Sequence, residues 1–576
     1  MFRLISDGIL LCTVFWKELL ILTISGFGMG AICALVYYKK HRQSSFRFSF
    51  ILTGFGIMGL FPFVLKFLNV FHPIGVFLAF GISIIALLGW SRKRIVNRNL
   101  ENIIVDWCLP SFIFLFFLII RLGYLRGLLF PPYSDSPVHF ANVKLFFEED
   151  VTSRYLVDKL LDHYYHFGFH GIVAWVSSVI GDLRPLTLAF VGQYFLAILP
   201  LSVYFWVFSE TGSVLAGFAS SMLAGLGWNM PAYAANWGKY PAIIGVALLP
   251  AFLDVVRMAW READKKLLAF CLVLSGSLVW IHTRIAILFL FVTVAILFVK
   301  ILKLIVRLEI LWGIILFVFI VVLKTNATAW NIADYFRYYL GAFGGATYIF
   351  AILFPLAIVQ HPIFALYVFL TGFLMILGTI VPLPDIFQAY SATLIDKPFF
   401  ELTFFLILAL LGGLGIDGLS HVLQGMIPDS VIAIFSFLFI FSNAMIFFTF
   451  YPVEKMNFVT EDDLFAMSWI EDSTSPNAVF IIAGEQFLDH WLSTDAGGWV
   501  NPLLDRKLYK LDYRFDWESE YQVRDLCDGL NDELSYFIYI GSMPRRFILP
   551  IDRIPTWLES ELHFSQTQIY RLKCVY

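Results

Sequence analysis

The chain has 576 residues, of which 59% are hydrophobic and only 14% charged, with a formal net charge of −3 and a mean hydropathy of +0.79. A water-soluble fold of this length cannot hide so much apolar surface, so most of the chain must take lipid as its solvent. The near-neutral balance lacks the basic excess of a nucleic-acid binder, and no nucleic-acid partner is expected.

Apolar runs long enough to cross a bilayer recur at about 13–14 places. They lie near 9–37, 50–68, 74–90, 103–123, 186–208, 213–230, 241–256, 267–281, 285–300, 308–324, 341–360, 363–381, 402–418 and 430–450. The first passes Lys17 and Glu18 without an A-x-A site, so it reads as a retained span rather than a cleaved leader. Lysine and arginine collect in four places: Lys39-Lys40-His41-Arg42 with Arg47, Arg92 to Arg98, Arg257 to Lys266, and Lys300 to Arg307. The positive-inside bias assigns all four clusters to the cytoplasm. An even number of spans separates each cluster from the next, provided that 167–180, too short for a full crossing, is an interfacial or re-entrant helix on the outer face.

The outer face then receives the unusual polar residues, in chain order. Loop 124–166 contains YSDSPVHF, where Asp135 and His139 are four apart and share a helical face. A carboxylate there suits a general base on an acceptor hydroxyl, or a ligand for a divalent cation such as Mg or Mn. Ser134 or Asp135 is equally well placed to cap the helix that follows. His163, His166 and His170 recur at three and four; that spacing can ligate zinc. Beside Tyr164, Tyr165 and Phe169 it better suits an aromatic belt or substrate contact. Turns between later spans carry Trp237, Lys239 and Tyr240 (229–241), then His282 and Arg284. Arg337 follows in 325–339, and Asp396 and Lys397 in 382–401. Cations placed against the positive-inside bias at a membrane edge suit a lipid phosphate, though snorkelling and interfacial anchoring account for the same residues. Asn326-Ala327-Thr328 is a glycosylation sequon on this face.

From 451 the composition turns polar. Strand-like VFIIAG (479–484) and YFIYIG (536–541), with helix-like stretches at 463–471 and 555–562, indicate an α/β domain of about 120 residues, large enough for its own core. Cys527 and Cys574 lie in this tail and form a disulfide if it is extracytoplasmic.

These elements, in this order, resemble the GT-C superfamily, multi-spanning glycosyltransferases that use polyprenyl-phosphate-linked sugars. The resemblance rests on Asp135 in the first large outer loop and on Tyr165-His166-Phe167-Gly168-Phe169-His170 opening the next apolar helix. Asn236-Trp237-Gly238-Lys239-Tyr240, His282-Thr283-Arg284 and Asp396-Lys397-Pro398-Phe399 complete it. It covers about 103–576 and implies an all-α polytopic core with an extracytoplasmic α/β tail. The domains are then an amino-terminal unit of about three spans (1–102), the core (103–450) and the tail (451–576). It further implies a plasma-membrane enzyme that takes a polyprenyl-phosphate-linked sugar and a glycan, lipid or protein acceptor from among the membrane lipids. Asp135 would be the base of an inverting transfer. His139, His166, His170, Trp237, Lys239, Tyr240, His282, Arg284, Arg337, Asp396 and Lys397 would contact substrate. The single aspartate, in place of a D-x-D pair, leaves the metal open, and no W-W-D-x-G element marks an asparagine-glycosylating enzyme. Alternatives of other classes are a transporter or flippase, a glycan polymerase or ligase, and a non-catalytic relative whose tail binds glycan.

Overall fold

The computed structural model describes residues 2–37, 46–95, 107–148, 151–163, 166–325, 332–382, 393–487, 490–530, 534–543, 545–549 and 554–574. Tyr164, Tyr165, the sequon 326–328 and most of the first two basic clusters lie outside them. The chain is mostly helical, because a segment in lipid must satisfy every backbone amide within itself. Among the described residues, nine helices are long and apolar enough to cross a membrane, from Trp16–Val36 to Asp429–Phe447. Shorter apolar helices, including Leu109–Leu122, Val214–Leu226, Ala346–Gln360 and Pro362–Gly378, occupy further expected positions.

Two expectations in the membrane part are tested by this packing. The run 9–37 is not one span: the chain breaks at Phe15 between helices Phe2–Val14 and Trp16–Tyr37. The first lies on Leu109–Leu122, with Gly8 against the Ile119 carbonyl and Leu4 against Gly123. Polar Lys17 and Glu18 fall at that break, where Glu18 is buried and pairs with Arg184. The segment 167–180 forms a buried helix of 13 residues, Gly168–Ile180, shorter than the nine. Its start meets His139 through His170, on the side of Tyr240. The helix after it, Leu186–Thr211, also starts there: it runs parallel to Tyr240–Glu262, with Gly192 against Tyr240 and the Ala251 amide donating to Ser202 Oγ at 2.9 Å. Gly168–Ile180 and Leu186–Thr211 therefore both begin at one end of the bundle.

The described residues within 1–102 are knitted into the rest. Small residues let Trp16–Tyr37 and Phe46–Phe67 touch backbone to backbone, Gly54 meeting the Gly26 carbonyl and Gly30. Trp175 then donates to Ser25 Oγ at 2.8 Å, and Ser49 Oγ to Asp254 at 2.6 Å.

The tail is an α/β unit around a six-stranded sheet. Strand β1 (Val479–Phe487) lies between β4 (Tyr536–Ile540), parallel on one side, and β3 (Lys507–Asp512), also parallel, with β2 (His490–Ser493) antiparallel on the other. Strand β6 (Gln568–Leu572) follows antiparallel to β4, with β5 (Leu558–His563) at the edge. The continuous apolar run in β1 follows from burial of both faces. Phe480 and Ile482 pack toward the membrane part, while Val479, Ile481 and Ala483 pack with Trp517, Val523 and Ile538 in the tail's own core. The expected helix at 463–471 is present as Glu461–Ser473. The one at 555–562 is not. Leu558–His563 instead makes the edge strand β5, with Leu558 buried and Glu559 and Ser560 exposed; Glu559 faces Arg571 and pairs with Lys573 at 3.0 Å.

Cys527 and Cys574 form a disulfide that fastens the end of the chain to helix Glu520–Asp528. The bridge closes a loop of 47 residues. Cys527→Ser is expected to cost the tail about 3 kcal/mol, mostly by freeing the unfolded chain. Wild-type protein should migrate differently with and without reductant on a denaturing gel, and the variant should not.

Candidate functional site

Asp135 opens helix Asp135–Lys144, one residue after the cap position Ser134, whose side chain makes no capping bond. Its carboxylate accepts a 2.5 Å hydrogen bond from the Lys239 ammonium. The two side chains keep 21% and 42% of their exposure, so the pair is reachable by solvent. Burial pulls the ammonium toward neutrality, but Asp135 outweighs it and holds Lys239 above the ordinary lysine value. The pair depends on Gly238. Its φ of +64° is a left-handed conformation, and a Cβ there would meet Asp135 Cβ and Ser136 Oγ at 3.2 Å.

Behind the pair lies a histidine relay. His139 Nε2 is 2.9 Å from the Gly238 carbonyl, which can only accept, so Nε2 carries the proton. His139 Nδ1 is then a lone pair, and it faces His170 Nε2 across 3.0 Å. Tyr240 completes the wall, its ring 6.1 Å from that of His139 and 5.6 Å from that of Phe169. Burial pushes His139 down to about 4 and His166 down to about 3. His166 does not join His170 in a shared ligand set. It lies tilted against His282 with ring centroids 4.5 Å apart, and His282 lies parallel to Phe399 at 5.7 Å.

A pH dependence follows. The unfolded chain binds a proton on each histidine near pH 6.5, whereas the folded protein leaves His139 neutral to about pH 4. Stability therefore falls as pH drops from 6.5 toward 4, by about 3 kcal/mol for His139. The thermal midpoint of the wild type should drop over this window, and His139→Gln should remove part of the slope. An identical slope in the variant would refute the neutral relay.

The remaining expected residues ring the same end of the bundle. Arg284 binds Asp396 at 2.8 Å, while the other oxygen of Asp396 caps helix Lys397–Thr403 through the Phe399 amide at 2.9 Å. Lys397 pairs with Asp334, and Arg337 lies 3.6 Å from the buried carboxylate of Glu401. Arg337 also covers the ring of Tyr338, 4.7 Å away, which meets Trp237 at 5.8 Å. Charges on these groups reach one another: His282 senses His166, Arg284, Lys239 and His139 together. Asp334, Glu401 and Tyr338 were not singled out in the sequence. Only Glu401 carried a signal, as a lone acid inside the apolar run FFELTFF.

Two chemical consequences follow. Each cation expected to hold phosphate, namely Lys239, Arg284, Arg337 and Lys397, already faces a carboxylate. Among the described residues, no three His, Cys, Asp or Glu side chains are placed to hold a metal ion. Asp135 fits a magnesium or manganese ion poorly, because an ammonium stands where the ion would bind.

The tail closes over this region. The Tyr133 amide donates to the Met456 carbonyl at 2.9 Å, and Asn236 Oδ1 accepts from Tyr124 at 3.0 Å and from the Val453 amide at 2.9 Å. The chain matches no known family model, and no curated protein matches it.

Proposed function

We propose that the protein is a membrane glycosyltransferase that moves a sugar from a polyprenyl-phosphate donor to an acceptor hydroxyl on the extracytoplasmic face. The observation that carries the reading is convergence. Asp135 and three turns as distant in sequence as Lys239, Arg284 and Asp396 gather at one end of the bundle, with the Asp135 carboxylate open to solvent. Nucleotide sugars do not reach that face, so a transferase working there takes its donor from the lipid phase. Asp135 accepts the acceptor's hydroxyl proton. The acceptor oxygen bonds to the anomeric carbon, and the bond from that carbon to phosphate oxygen breaks with its electron pair leaving on the lipid phosphate. Configuration inverts. Lys239 keeps its charge through its contact with Asp135 and stands beside the reacting groups. The Cys527–Cys574 disulfide supports an oxidising compartment for the tail, in keeping with a tail on the extracytoplasmic face.

The test is to assay purified protein against a panel of polyprenyl-phosphate sugars, following release of the polyprenyl phosphate. Release that depends on an acceptor supports the reading. Movement of a labelled solute across vesicles without any such release would point to a transporter instead.

A further inference from the structure

Helix Asp135–Lys144 has 10 residues and carries the Asp135 carboxylate in its first turn. Its axis is about 15 Å long. A helix this short leaves most of its end groups without partners inside itself. Past its last turn, the Leu145, Phe146 and Glu148 carbonyls turn to one side chain. Lys66 Nζ donates to them at 2.9, 3.2 and 2.7 Å. Three acceptors require three N–H donors, which an ammonium has and a neutral amine lacks. The bonds are therefore charge-assisted, and the cation stands at the carboxyl end of a helix, where the dipole favours it.

Lys66 belongs to the last turn of helix Phe46–Phe67, far from the site in sequence. That helix also seats the other half of the histidine relay. A Cβ on Gly171 would meet the Gly59 carbonyl at 3.1 Å, so helix Gly168–Ile180, which carries His170, lies close to its backbone. Phe146 is 2% exposed and closes the corner between the two, its ring 6.1 Å from Phe71 and 6.5 Å from Phe167. One helix thus braces both partners of the 3.0 Å contact between His139 and His170. Helix Asp135–Lys144 is held at both ends, by Gly238 and Lys239 at its start and by Lys66 past its finish. A helix is stiff along its axis, so a shift at the Lys66 end carries through to the carboxylate. A displacement of about 1 Å at a reacting group can cost about 100-fold in rate.

We propose that Lys66 is a positioning residue for Asp135: by holding the carbonyls past the end of helix Asp135–Lys144, its ammonium sets where the carboxylate stands against Lys239. Its effect on rate rests on the transferase reading; its effect on the order of the helix does not.

The test uses full-length protein in neutral detergent, with amide exchange and sugar release read on the same preparations. Lys66→Met keeps the apolar stem and removes the donors. Exchange across 135–148 should quicken at least about tenfold while β1 and β4 stay slow. Per folded molecule, the turnover number should fall about tenfold or more, and the KM for the responding polyprenyl-phosphate sugar should change less than about twofold. Methylammonium chloride brings back a cation with three N–H donors and should restore turnover saturably, by at least about threefold. Tetramethylammonium chloride, a cation with no such donor, should not, and Asp135→Asn should gain nothing from either salt. A lysine that only braced the fold would lower the yield of folded protein and leave the turnover of the folded fraction unchanged. If the methionine variant does not fold, Lys66→Arg keeps the charge on a planar head that cannot meet the three carbonyls alike, and should lower turnover about threefold with faster exchange. Unchanged exchange at 135–148 in the folded variant, faster exchange with unchanged turnover, or equal effects of the two salts would each overturn the assignment. Faster exchange in the variant, when the wild type releases no polyprenyl phosphate, would remove the transferase reading and leave Lys66 as the residue that places Asp135.

Discussion

Asp135→Asn is expected to lower sugar release from a polyprenyl-phosphate donor by about 10³-fold, with the protein still folded in the membrane. The amide has the size and nearly the shape of the carboxylate, so helix Asp135–Lys144 keeps its seat. What it loses is the ability to take a proton. It also loses the charge that faces Lys239 at 2.5 Å. That second loss is small for folding, because the Lys239 side chain retains 42% of its exposure and water can solvate it. A partly exposed pair of this kind is worth about 1 kcal/mol. The two effects therefore separate: the rate falls steeply while the unfolding temperature barely moves. Lys239→Met supplies the contrast. It keeps the base and removes its cationic neighbour, so it should retain more activity than Asp135→Asn. Wild-type turnover in Asp135→Asn would remove Asp135 from the chemistry, and a large loss of folded protein in that variant would show the pair to be structural.

The sequence made the membrane helices legible because each apolar run in lipid has one way to satisfy its backbone, and the lysine and arginine clusters then constrained which runs cross. That constraint singled out 167–180 as the segment out of step; it forms the short buried helix Gly168–Ile180, and the next helix, Leu186–Thr211, begins at the same end of the bundle. Composition says less about local breaks. Lys17 and Glu18 inside an apolar run marked a place where the helix stops, yet the run still read as continuous. At 555–562, glutamates on an edge strand looked like a charged helix face, because an edge exposes side chains that a central strand would bury. At the site, the cations were visible because they break the positive-inside bias. Their partners were not. Asp334 and Glu401 pair with Lys397 and Arg337 across loops that a sequence does not place side by side.

Trp499→Ala is expected to loosen the loop that carries Asp135 without unfolding the tail. Trp499 is 1% exposed and packs against two rings of that loop, Phe130 at 4.9 Å and Phe140 at 5.8 Å. Gly498 next to it lies against Pro137, and Lys144 reaches Asp505 at 2.6 Å. Asp505 keeps 79% of its exposure, so that ion pair contributes little, and the indole carries the seat. Truncating a buried tryptophan costs about 4 kcal/mol. Here the cost falls on the contact between tail and loop, because the tail's second core around Trp517, Ile481 and Ile538 and its disulfide do not involve Trp499. Amide exchange should therefore quicken across 133–144 and stay slow in β1 and β4. If loop order is what holds the Asp135 carboxylate beside Lys239, sugar transfer should fall in the same variant, with the turnover number reduced more than the affinity for donor. Unchanged exchange at 133–144 would show that the tail rests on the loop without ordering it, and Asp135 would then owe its position to Gly238, the histidine relay and Lys66.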